Sequence, residues 1–444
     1  MLNNQFIELL GEIVPPVNTS SFIESINRPT SSFVRLNNAK TMPFSFEGTP
    51  VKWCSNGIRL VERKVFTTDP FFHGGAYYVQ EASSMFIEQL FKKIIFKEKA
   101  NALKALDLCA APGGKSTHIS SLIGKDSLLV ANEVIRSRAA VLKENIIKWG
   151  IGNTVVTSND PSHFSSLPSF FDVVVVDAPC SGEGMFRKNE KARDEWSMGN
   201  VELCQGRSRR ILSDVWETLA DGGFLIYSTC TFNRRENEEN VKWLTEEFDA
   251  ELAKTKIDEF EEVLLTDYGY RFHPDRVDSE GYFVAIVRKL SGGNSPKKDR
   301  LTPLVKEKTV DLTQWLNESE KFTSILYNNS VWAVPEAWNS EITLLLAKLN
   351  VLYFGIEIGE LFGKKLKPSH ALSLAAALNR EQNEVYDLSL EDALNYLRRQ
   401  SIEPYNMVEG FNLVGYEGVP IGWVKRIGNR TNNLYPKESR ILNL

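Results

Sequence analysis

Short apolar runs alternate with helical stretches between residues 104 and 289, and this alternation restricts the fold more than any other feature of the chain. The runs predicted to be strands cover 104–110, 127–133, 153–158, 171–177, 223–229 and 282–289. The stretches predicted to be helices cover 114–123, 136–149, 202–220 and 235–247. Strands separated by helices predict an α/β fold, in which a parallel sheet carries helices on both faces.

The length of the chain predicts more than one structural domain. A chain of 444 residues is longer than one ordinary hydrophobic core supports. The stretch 291–300 reads SGGNSPKKDR, and this polar composition is typical of a linker. We therefore expect an N-terminal extension, an α/β domain, a middle segment and a small C-terminal α+β module. Their predicted bounds are 1–85, 86–290, 301–365 and 366–444.

Composition and charge restrict the compartment and the partners. The chain is 42% hydrophobic and 25% charged, which is ordinary for a soluble globular protein. Its N-terminus lacks the basic start and apolar core of a signal peptide, and no apolar run approaches ~18 residues. We expect a cytoplasmic protein without a membrane partner, and a monomer. The net charge of −5 argues mildly against a nucleic-acid partner, although such binding needs only a local basic surface.

The five cysteines lie at positions 54, 109, 180, 204 and 230. Their odd number and the lack of a CxxC pair predict reduced thiols rather than disulfides or a zinc site, so no metal is expected. Cys180 and Cys230 are distinctive, because each closely follows an apolar run predicted to be a strand. The carboxyl ends of parallel strands meet at one edge of a sheet, so these two thiols should share a crevice. The other three cysteines are expected to act as small buried hydrophobic residues.

A glycine-rich loop, CAAPGGK at 109–115, follows the first predicted strand. It has neither the GxGxxG pattern of dinucleotide-binding loops nor the spacing of a phosphate-binding P-loop. Its glycines would let a ligand approach the backbone closely. Glu133, Asp160 and Asp177 follow or end the next strands, where a carboxylate can bridge ribose hydroxyls, although any single acid could merely face a loop. A ribose-binding acid without a phosphate clamp favours S-adenosylmethionine over NAD or ATP.

Two thiols beside such a loop indicate methyl transfer to a ring carbon. Carbon 5 of a pyrimidine is a poor nucleophile, and addition of a thiolate to carbon 6 activates it by covalent catalysis. One thiol would attack and the other would help to eliminate the product, and the spacing leaves open which does which. Asp177, if protonated or sharing a proton, could hydrogen-bond the ring nitrogen. A cysteine–histidine protease is disfavoured, because none of the five histidines lies in a recognisable partner motif.

At these residues the chain resembles the NOL1/NOP2/Sun family of RNA cytosine-5 methyltransferases, and in particular its bacterial RsmF-like branch. The resemblance rests on CAAPGGK at 109–115, DAPCSGEG at 177–184, STCT at 228–231, and the segments 73–75 and 78–85. The C-terminal module resembles the PUA-like RNA-binding module of that branch, through segments 368–372, 422–425 and 433–436. The family implies a Rossmann-like class I methyltransferase sheet and 5-methylcytidine as the product.

The resemblance also implies roles for individual residues. It makes Cys230 the nucleophile and Cys180 the thiol that assists product release, with Asp177 activating the base. It surrounds S-adenosylmethionine with Cys109, Ala110, Ala111, Pro112, Gly113, Gly114, Lys115, Glu133, Asp160 and Asp177. The implied substrate is 16S ribosomal RNA or the small ribosomal subunit.

Local basic pairs are candidate RNA contacts despite the acidic average. Arg187 with Lys188 and Lys425 with Arg426 could bind phosphates, although most charge clusters are solvated faces. Trp423 and Tyr435 could stack on bases or belong to the core. Transfer RNA remains an alternative substrate. A catalytically silent RNA-binding assembly factor is a further alternative, which the presence of both thiols and the intact glycine loop disfavours.

Overall fold

The computed structural model describes residues 2–15, 18–40, 42–99, 102–290, 310–363, 365–403 and 406–442. Within these residues, the strands form one ten-stranded sheet and three four-stranded sheets. The predicted linker at 291–300 lies outside them. In the described part of the chain, no helix is both long enough and apolar enough to cross a membrane.

A small antiparallel sheet organises the N-terminal extension. Its strands lie in the order β2-β3-β1-β4, and the elements in chain order are α1 (Asn4–Gly11), α2 (Thr19–Asn27), β1 (Phe33–Leu36), β2 (Gly48–Pro50), β3 (Gly57–Leu60), α3 (Pro70–His73) and β4 (Tyr77–Val79). Arg35 on β1 is buried, and its guanidinium donates to Gln80 Oε1 at 2.8 Å and to Thr117 Oγ1 at 2.6 Å. Because Thr117 belongs to the next domain, these bonds fix the extension against it.

The central domain contains the ten-stranded sheet and its covering helices. Nine of the ten strands belong to this domain: β5 (Lys104–Asp107), β6 (Leu128–Asn132), β7 (Thr154–Thr157), β8 (Phe171–Asp177), β9 (Leu219–Thr229), β10 (Ala250–Leu252), β11 (Leu264–Leu265), β12 (Tyr270–Phe272) and β13 (Tyr282–Lys289). Its helices are α4 (Ile87–Leu90), α5 (Phe96–Glu98), α6 (Gly114–Ile123), α7 (Arg136–Trp149), α8 (Glu190–Glu195), α9 (Met198–Trp216) and α10 (Glu238–Glu247). A π-helical turn, Phe91–Ile95, joins α4 to α5. The predicted α/β fold is confirmed.

The central sheet is mixed rather than wholly parallel. β9, β8, β5, β6 and β7 are parallel neighbours in that order, whereas β13 pairs antiparallel with β9. β12 and β13 also pair antiparallel, because the connection 273–281 between them is too short for a parallel crossover, which needs a dozen residues or more. Because β13 runs in the opposite direction, it begins at the edge where the parallel strands end. Residues 280–282 are thereby brought beside the strand-end cysteines.

The middle segment completes the central sheet as well as forming its own. Its elements are β14 (Phe322–Tyr327), β15 (Ser330–Pro335), α11 (Asn339–Lys348), β16 (Val351–Phe354), β17 (Ile356–Phe362) and β18 (Lys365–Pro368). β16 pairs antiparallel with β7 at the far edge of the central sheet. Trp332 and Leu345 pack in the same hydrophobic core as β8. The segment is therefore part of the central core, and the predicted boundary between 365 and 366 falls inside β18.

The C-terminal module packs on both the middle sheet and the N-terminal extension. Its elements are α12 (His370–Ser373), β19 (Val385–Asp387), α13 (Leu390–Leu397), β20 (Gly410–Tyr416), β21 (Val419–Ile427) and β22 (Arg430–Asn433). Trp423 is 3% exposed and packs with Ile358 of the middle sheet. Tyr435 is 1% exposed, and its hydroxyl lies 3.0 Å from Nδ1 of His73. Both aromatic residues are therefore core residues, and neither is available to stack on a base.

Candidate active site

The two strand-end thiols lie in direct contact. Cys180 and Cys230 follow β8 and β9, which are parallel neighbours with Asp177 in register with Ser228. The two Sγ atoms are 3.3 Å apart. The hydrogen bond with Cys230 and burial together raise the pKa of Cys180 well above that of an ordinary thiol. Cys180 therefore keeps its proton at neutral pH.

A cavity of about 430 Å³ opens where the parallel strands end. Cys230 and Asp177 line it, together with most of the glycine-rich loop. The N-terminal extension and the start of β13 close its other sides, through Tyr78, Val79, Gln80, Glu81, Ser84, Glu280, Gly281 and Tyr282. Cys230 is thus the thiol that reaches the cavity, while Cys180 lies behind it.

The backbone of the glycine-rich loop turns directly into α6. Gly113 has a φ of 116°, in the left-handed region where glycine alone is unstrained. Asp107, at the end of β5, is 1% exposed and lines the cavity below the loop. Its Oδ2 accepts a bond of 2.7 Å from Ser116 Oγ, whereas its Oδ1 is buried and has no protein partner among the described residues. Burial raises the pKa of Asp107 to about 7.

Lys115 and Asp177 form an ion pair on the cavity wall. Lys115 Nζ lies 2.8 Å from Asp177 Oδ2, and Ser228 Oγ donates to Asp177 Oδ1 at 2.7 Å. Burial lowers the pKa of Lys115, but attraction to Asp177 and Tyr282 outweighs burial and raises the pKa overall. Both oxygens of Asp177 therefore act as acceptors, one from the Lys115 ammonium and one from the Ser228 hydroxyl.

Comparison with known proteins places this site in a family. Three domain families match parts of the chain. The family described as "N-terminal domain of 16S rRNA methyltransferase RsmF" matches residues 2–82, that described as "16S rRNA methyltransferase RsmB/F" matches residues 94–288, and that described as "Methyltransferase RsmF PUA domain" matches residues 383–441. The ribosomal RNA small subunit methyltransferase F proteins of Salmonella agona and Salmonella heidelberg are each 32% identical to this chain over 467 residues, covering 98% of this chain and 95% of theirs. This chain belongs to the ribosomal RNA small subunit methyltransferase F family.

Solved structures share the fold of the central region. A methyltransferase homologue protein from Pyrococcus horikoshii is 28% identical, with a TM-score of 0.55 over 65% of this chain and 95% of that chain. NSun6 from Pyrococcus horikoshii is 18% identical, with a TM-score of 0.54 over 64% of this chain and 98% of that chain, and this likeness concerns the fold alone. The family predicted from the cysteine and glycine motifs is therefore confirmed, as is a methyltransferase with S-adenosylmethionine as its cofactor.

The cavity fits this cofactor. Its volume of about 430 Å³ lies within the range of roughly 300–1,000 Å³ that is usual for small-molecule sites. The unpartnered Oδ1 of Asp107 is a buried acceptor at its wall, and such an atom is costly unless a ligand or water satisfies it. Backbone of the loop forms one side, so a bound ligand can reach peptide groups directly. The residues in a position to hold the cofactor are Asp107, Cys109, Ala110, Ala111, Pro112, Gly114 and Lys115.

Two of the predicted cofactor acids do not line the cavity. Glu133 is 3% exposed, accepts from Ile135 N at 3.0 Å and lies 3.5 Å from Arg138, which donates to Ala111 O at 2.8 Å. Glu133 therefore supports the loop from behind. Asp160 caps a short 3₁₀ turn, and the hydrogen bonds from Ser162 lower its pKa. Asp160 is not among the residues that line the cavity, and its carboxylate accepts from Ser162 N and Oγ.

The candidate RNA contacts differ in how free their charges are. Arg187 is only 4% exposed, and its guanidinium donates to the carbonyls of Arg28, Pro29 and Ser279, so the structure contradicts a phosphate contact at this residue. Lys188 is 47% exposed and pairs with Glu280 at the cavity.

In the C-terminal module, the same distinction separates two neighbours. Lys425 extends over the ring of Phe411, with Nζ at 5.3 Å from the centroid. Arg426 donates to the carbonyls of Met407 and Gly428, which engages its guanidinium within the module. Lys425 is therefore the better candidate of the pair for a phosphate contact.

Among the described residues, one group offers the ligand atoms for a metal ion: Cys54, Glu88 and His118. The Glu88 carboxylate already accepts hydrogen bonds from Ser55, Lys92 and His118. Burial raises the pKa of Cys54 to about 12, so its thiol stays protonated. These three residues form a buried polar cluster that attaches the extension to α6, in which His118 Nδ1 has no hydrogen-bond partner among the described residues.

Sequence reasoning missed several residues that the structure brings to the site. Asp107 ends a strand in the same way as Asp177, so the same argument would have found it. Glu81 and Glu280 come from outside the α/β pattern, and Glu280 N lies 3.3 Å from Glu81 Oε1. Glu183 and Glu236 are buried between the two cysteine loops. Their signal in the sequence is weak, because acids shortly after a strand are usually exposed.

Proposed function

We propose that this protein methylates carbon 5 of cytidine in 16S ribosomal RNA, with Cys230 as the nucleophile. The observation that carries the proposal is the thiol pair: two sulfur atoms 3.3 Å apart, of which Cys230 opens into the cavity beside Asp177. The names of the curated relatives support the small-subunit RNA substrate. The match of residues 383–441 to a PUA domain supports an RNA partner.

Each residue of the site has a separate role in the proposed methyl transfer. Cys230 adds to carbon 6 of the base, which makes carbon 5 nucleophilic. Bound S-adenosylmethionine supplies the methyl group. Lys115 and Asp177 lie close to Cys230 in the same cavity, so together they can donate to and accept from the polar edge of the ring as charge develops there. The backbone of 109–115 orients the cofactor, and Glu133 supports that loop through Arg138.

Cys180 acts when the product leaves. After methylation, the proton on carbon 5 passes to solvent water, the electrons of that bond restore the double bond between carbons 5 and 6, and the bond between carbon 6 and the Cys230 sulfur breaks with its electrons on sulfur. Cys180 keeps its proton because contact with Cys230 and burial raise its pKa. A protonated thiol at 3.3 Å can donate a hydrogen bond to the Cys230 sulfur as that sulfur regains negative charge. This stabilises the leaving thiolate.

We also propose that the protein works as a cytoplasmic monomer. All five cysteines are free thiols, which suits a reducing compartment. The site is complete within one chain, since every residue assigned above comes from it. Light scattering on the purified protein tests the monomer, and a mass of twice 50.2 kDa would contradict it.

Mapping 5-methylcytidine tests the proposed substrate. Ribosomal and transfer RNA from a deletion strain and its parent are compared by bisulfite sequencing, and the deletion should remove a modification from 16S RNA alone. Purified protein, labelled cofactor and either naked 16S RNA, small subunits or transfer RNA then show which one is methylated. Loss of a transfer RNA modification with intact 16S RNA would favour the alternative substrate, and no methylation of any of them would favour a binding factor.

A further inference from the structure

Two short loops carry the thiols, and their next residues contact each other. Ser181 follows Cys180 and Thr231 follows Cys230, and their hydroxyl oxygens are 2.9 Å apart. The main chain makes one more link, from Gly184 N to Cys230 O at 2.9 Å. The distance between the two sulfur atoms therefore depends on how these loops are held together.

Glu236 connects the two loops at their centre. Its carboxylate accepts from Ser181 N at 2.9 Å, from Ser181 Oγ at 2.5 Å and from Asn233 Nδ2 at 2.7 Å. Asn233 in turn lies on the Cys230 side, where its Nδ2 reaches Thr231 Oγ1 at 3.2 Å. Glu236 has no exposed surface. A single buried carboxylate thus receives donors from both loops.

A second buried carboxylate fixes the surroundings of this connection. Glu183 accepts from the backbone N–H groups of Phe232 and Asn233, at 2.7 and 3.0 Å, and from Trp196 Nε1 at 3.0 Å. Glu183 holds the Cys230 loop to the segment after Cys180, but it makes no bond to Ser181. Glu236 alone, among these two acids, bonds the residue next to Cys180.

Loss of the Glu236 carboxylate would release the loop that carries Cys180 before the loop that carries Cys230. The amide of Ser181 lies in a segment outside helix and strand, and Glu236 supplies its hydrogen bond. A glutamine at 236 keeps the shape but brings an NH₂ group against N–H and O–H donors. A buried donor left without an acceptor is unfavourable, so the loop would move to find another partner. Cys230 would stay, because it directly follows β9 and the main chain of its loop bonds to Glu183.

We propose that Glu236 is a positioning residue that holds Cys180 against Cys230 for the product-release step. The inference rests on the roles proposed above for the two thiols. Without the carboxylate, Cys230 still adds to the base, but Cys180 no longer lies where it can assist departure. The enzyme should then accumulate its covalent adduct with RNA.

The test compares Glu236→Gln with Glu239→Gln. Glu239 lies three residues further along the chain, in α10, is exposed, and its carboxylate accepts only from Gln205 Nε2, at 3.2 Å, among the described residues. Glu236→Gln should lower turnover about ten-fold or more and give an RNA adduct that survives a denaturing gel. The affinity for S-adenosylmethionine, from calorimetry, should stay within about two-fold. Glu239→Gln should match the parent protein in all three measurements, and Glu236→Gln/Cys230→Ala should form no adduct.

Parallel assays separate this inference from the proposed function. Cys180→Ala is assayed beside Glu236→Gln. If Cys180→Ala forms the adduct and Glu236→Gln does not, the role of Glu236 is overturned while the roles of the two thiols stand. No adduct in either variant, with methylation lost, would overturn the thiol roles themselves. Ser181→Ala is the second variant, and it removes only one of the three donors to Glu236. If Glu236→Gln fails to fold, a normal rate of release in Ser181→Ala would overturn the inference, and a slowed release with visible adduct would support it.

Discussion

At the scale of single residues, chemistry in this site is set by partners rather than by residue type. Cys180 and Cys230 are the same residue type at the ends of neighbouring strands, yet of the two only Cys230 lines the cavity, and the contact with Cys230 together with burial raises the pKa of Cys180. Asp177 and Asp107 likewise both end strands. Asp177 is paired with Lys115, whereas Asp107 keeps one oxygen unpartnered and has a pKa of about 7.

Replacing Cys230 should abolish methylation without disturbing the cofactor. Cys230→Ala removes the sulfur that adds to carbon 6, while the loop 109–115 and Asp107 remain in place. Transfer of the labelled methyl group from S-adenosylmethionine to RNA should fall to background. Calorimetry should give an affinity for S-adenosylmethionine within a few-fold of that of the parent protein. Cys204→Ala is the matched control, since Cys204 is buried in α9 away from the cavity and should remain active. Normal turnover by Cys230→Ala would remove the residue from its role.

Replacing Cys180 should instead trap the enzyme on its RNA. Cys180→Ala leaves the nucleophile intact but removes the S–H group 3.3 Å from it, so addition proceeds and elimination slows. A retarded protein band on a denaturing gel reports the adduct, and the Cys180→Ala/Cys230→Ala double variant should lack it. If Cys230→Ala alone trapped RNA, the roles of the two thiols would be reversed.

Asp107 should make stability depend on pH. Burial raises its pKa from 3.8 to about 7 in the folded protein, so between about pH 4 and pH 7 the folded state binds a proton that the unfolded state has lost. Stability therefore falls as the pH rises through this window. Asp107→Asn stays neutral, and its unfolding free energy relative to the parent should rise by up to about 1.4 kcal/mol per pH unit in the window.

Urea unfolding without cofactor, at several values between about pH 5 and pH 8, measures this difference. Asp160→Asn is the control. The pKa of Asp160 is lowered, so its contribution is already complete above the ordinary carboxyl pKa and is lost only under more acidic conditions. It should not change the slope in this range. Parallel pH profiles for the parent and Asp107→Asn would show that Asp107 is ionised throughout.

At the scale of elements, helix ends connect the domains. Gly150 follows α7 with a φ of 78°, and a Cβ built there would lie 2.1 Å from the carbonyl oxygen of Leu374. Its own carbonyl accepts from Ala376 N at 2.9 Å. Gly124 follows α6 with a φ of 74°, but a Cβ there would meet nothing within 4 Å. Both glycines have a positive φ, but ψ is 10° at Gly150 and 175° at Gly124, and the two sites differ in packing.

Gly150→Ala should therefore destabilise the protein more than Gly124→Ala. A non-glycine residue at positive φ costs about 1–3 kcal/mol, and both variants bear this cost. In Gly150→Ala the added methyl group must also displace the backbone of Leu374, the residue that directly follows α12 in the C-terminal module. Chemical denaturation of both variants gives the two losses of unfolding free energy. Equal losses would contradict a tight contact between α7 and Leu374.

At the scale of the whole molecule, the C-terminal module is joined to the rest through buried contacts. Trp423 packs with Ile358 of the middle sheet, Tyr435 bonds His73 of the extension, and Lys365–Pro368 forms one strand across the predicted boundary. A module attached in this way contributes to stability as well as to RNA binding. The two contributions can be separated by experiment.

Deleting residues 366–444 should lower the melting temperature and weaken RNA binding together, because it exposes the core around Ile358 and removes three of the four residues of β18. Lys425→Glu is the matched surface change. It should leave the melting temperature unchanged and weaken RNA binding, with the loss shrinking as salt rises, because phosphate contacts release counterions. Calorimetric melting and filter binding at several salt concentrations measure both. A truncated protein with the melting temperature of the full chain would show that the tail folds independently.

The sequence by itself determined the elements and the chemistry at their ends. Apolar β-branched runs such as 171–177 and glycine signals such as 109–115 act locally, so the α/β pattern, the glycine-rich loop and a crevice shared by Cys180 and Cys230 could be predicted from the sequence. The resemblance of the same segments identified the family.

Only the tertiary structure decided which side chains are buried and which strands are partners. β16 joins β7 from far along the chain, and β13 runs antiparallel to bring Tyr282 to the cavity. Arg187 is buried with its guanidinium bonded to carbonyls, and Asp160 caps a 3₁₀ turn instead of lining the cavity. Pairing, exposure and the sharing of protons depend on atoms distant in sequence, because the free energy of a polar group is set by what surrounds it after folding.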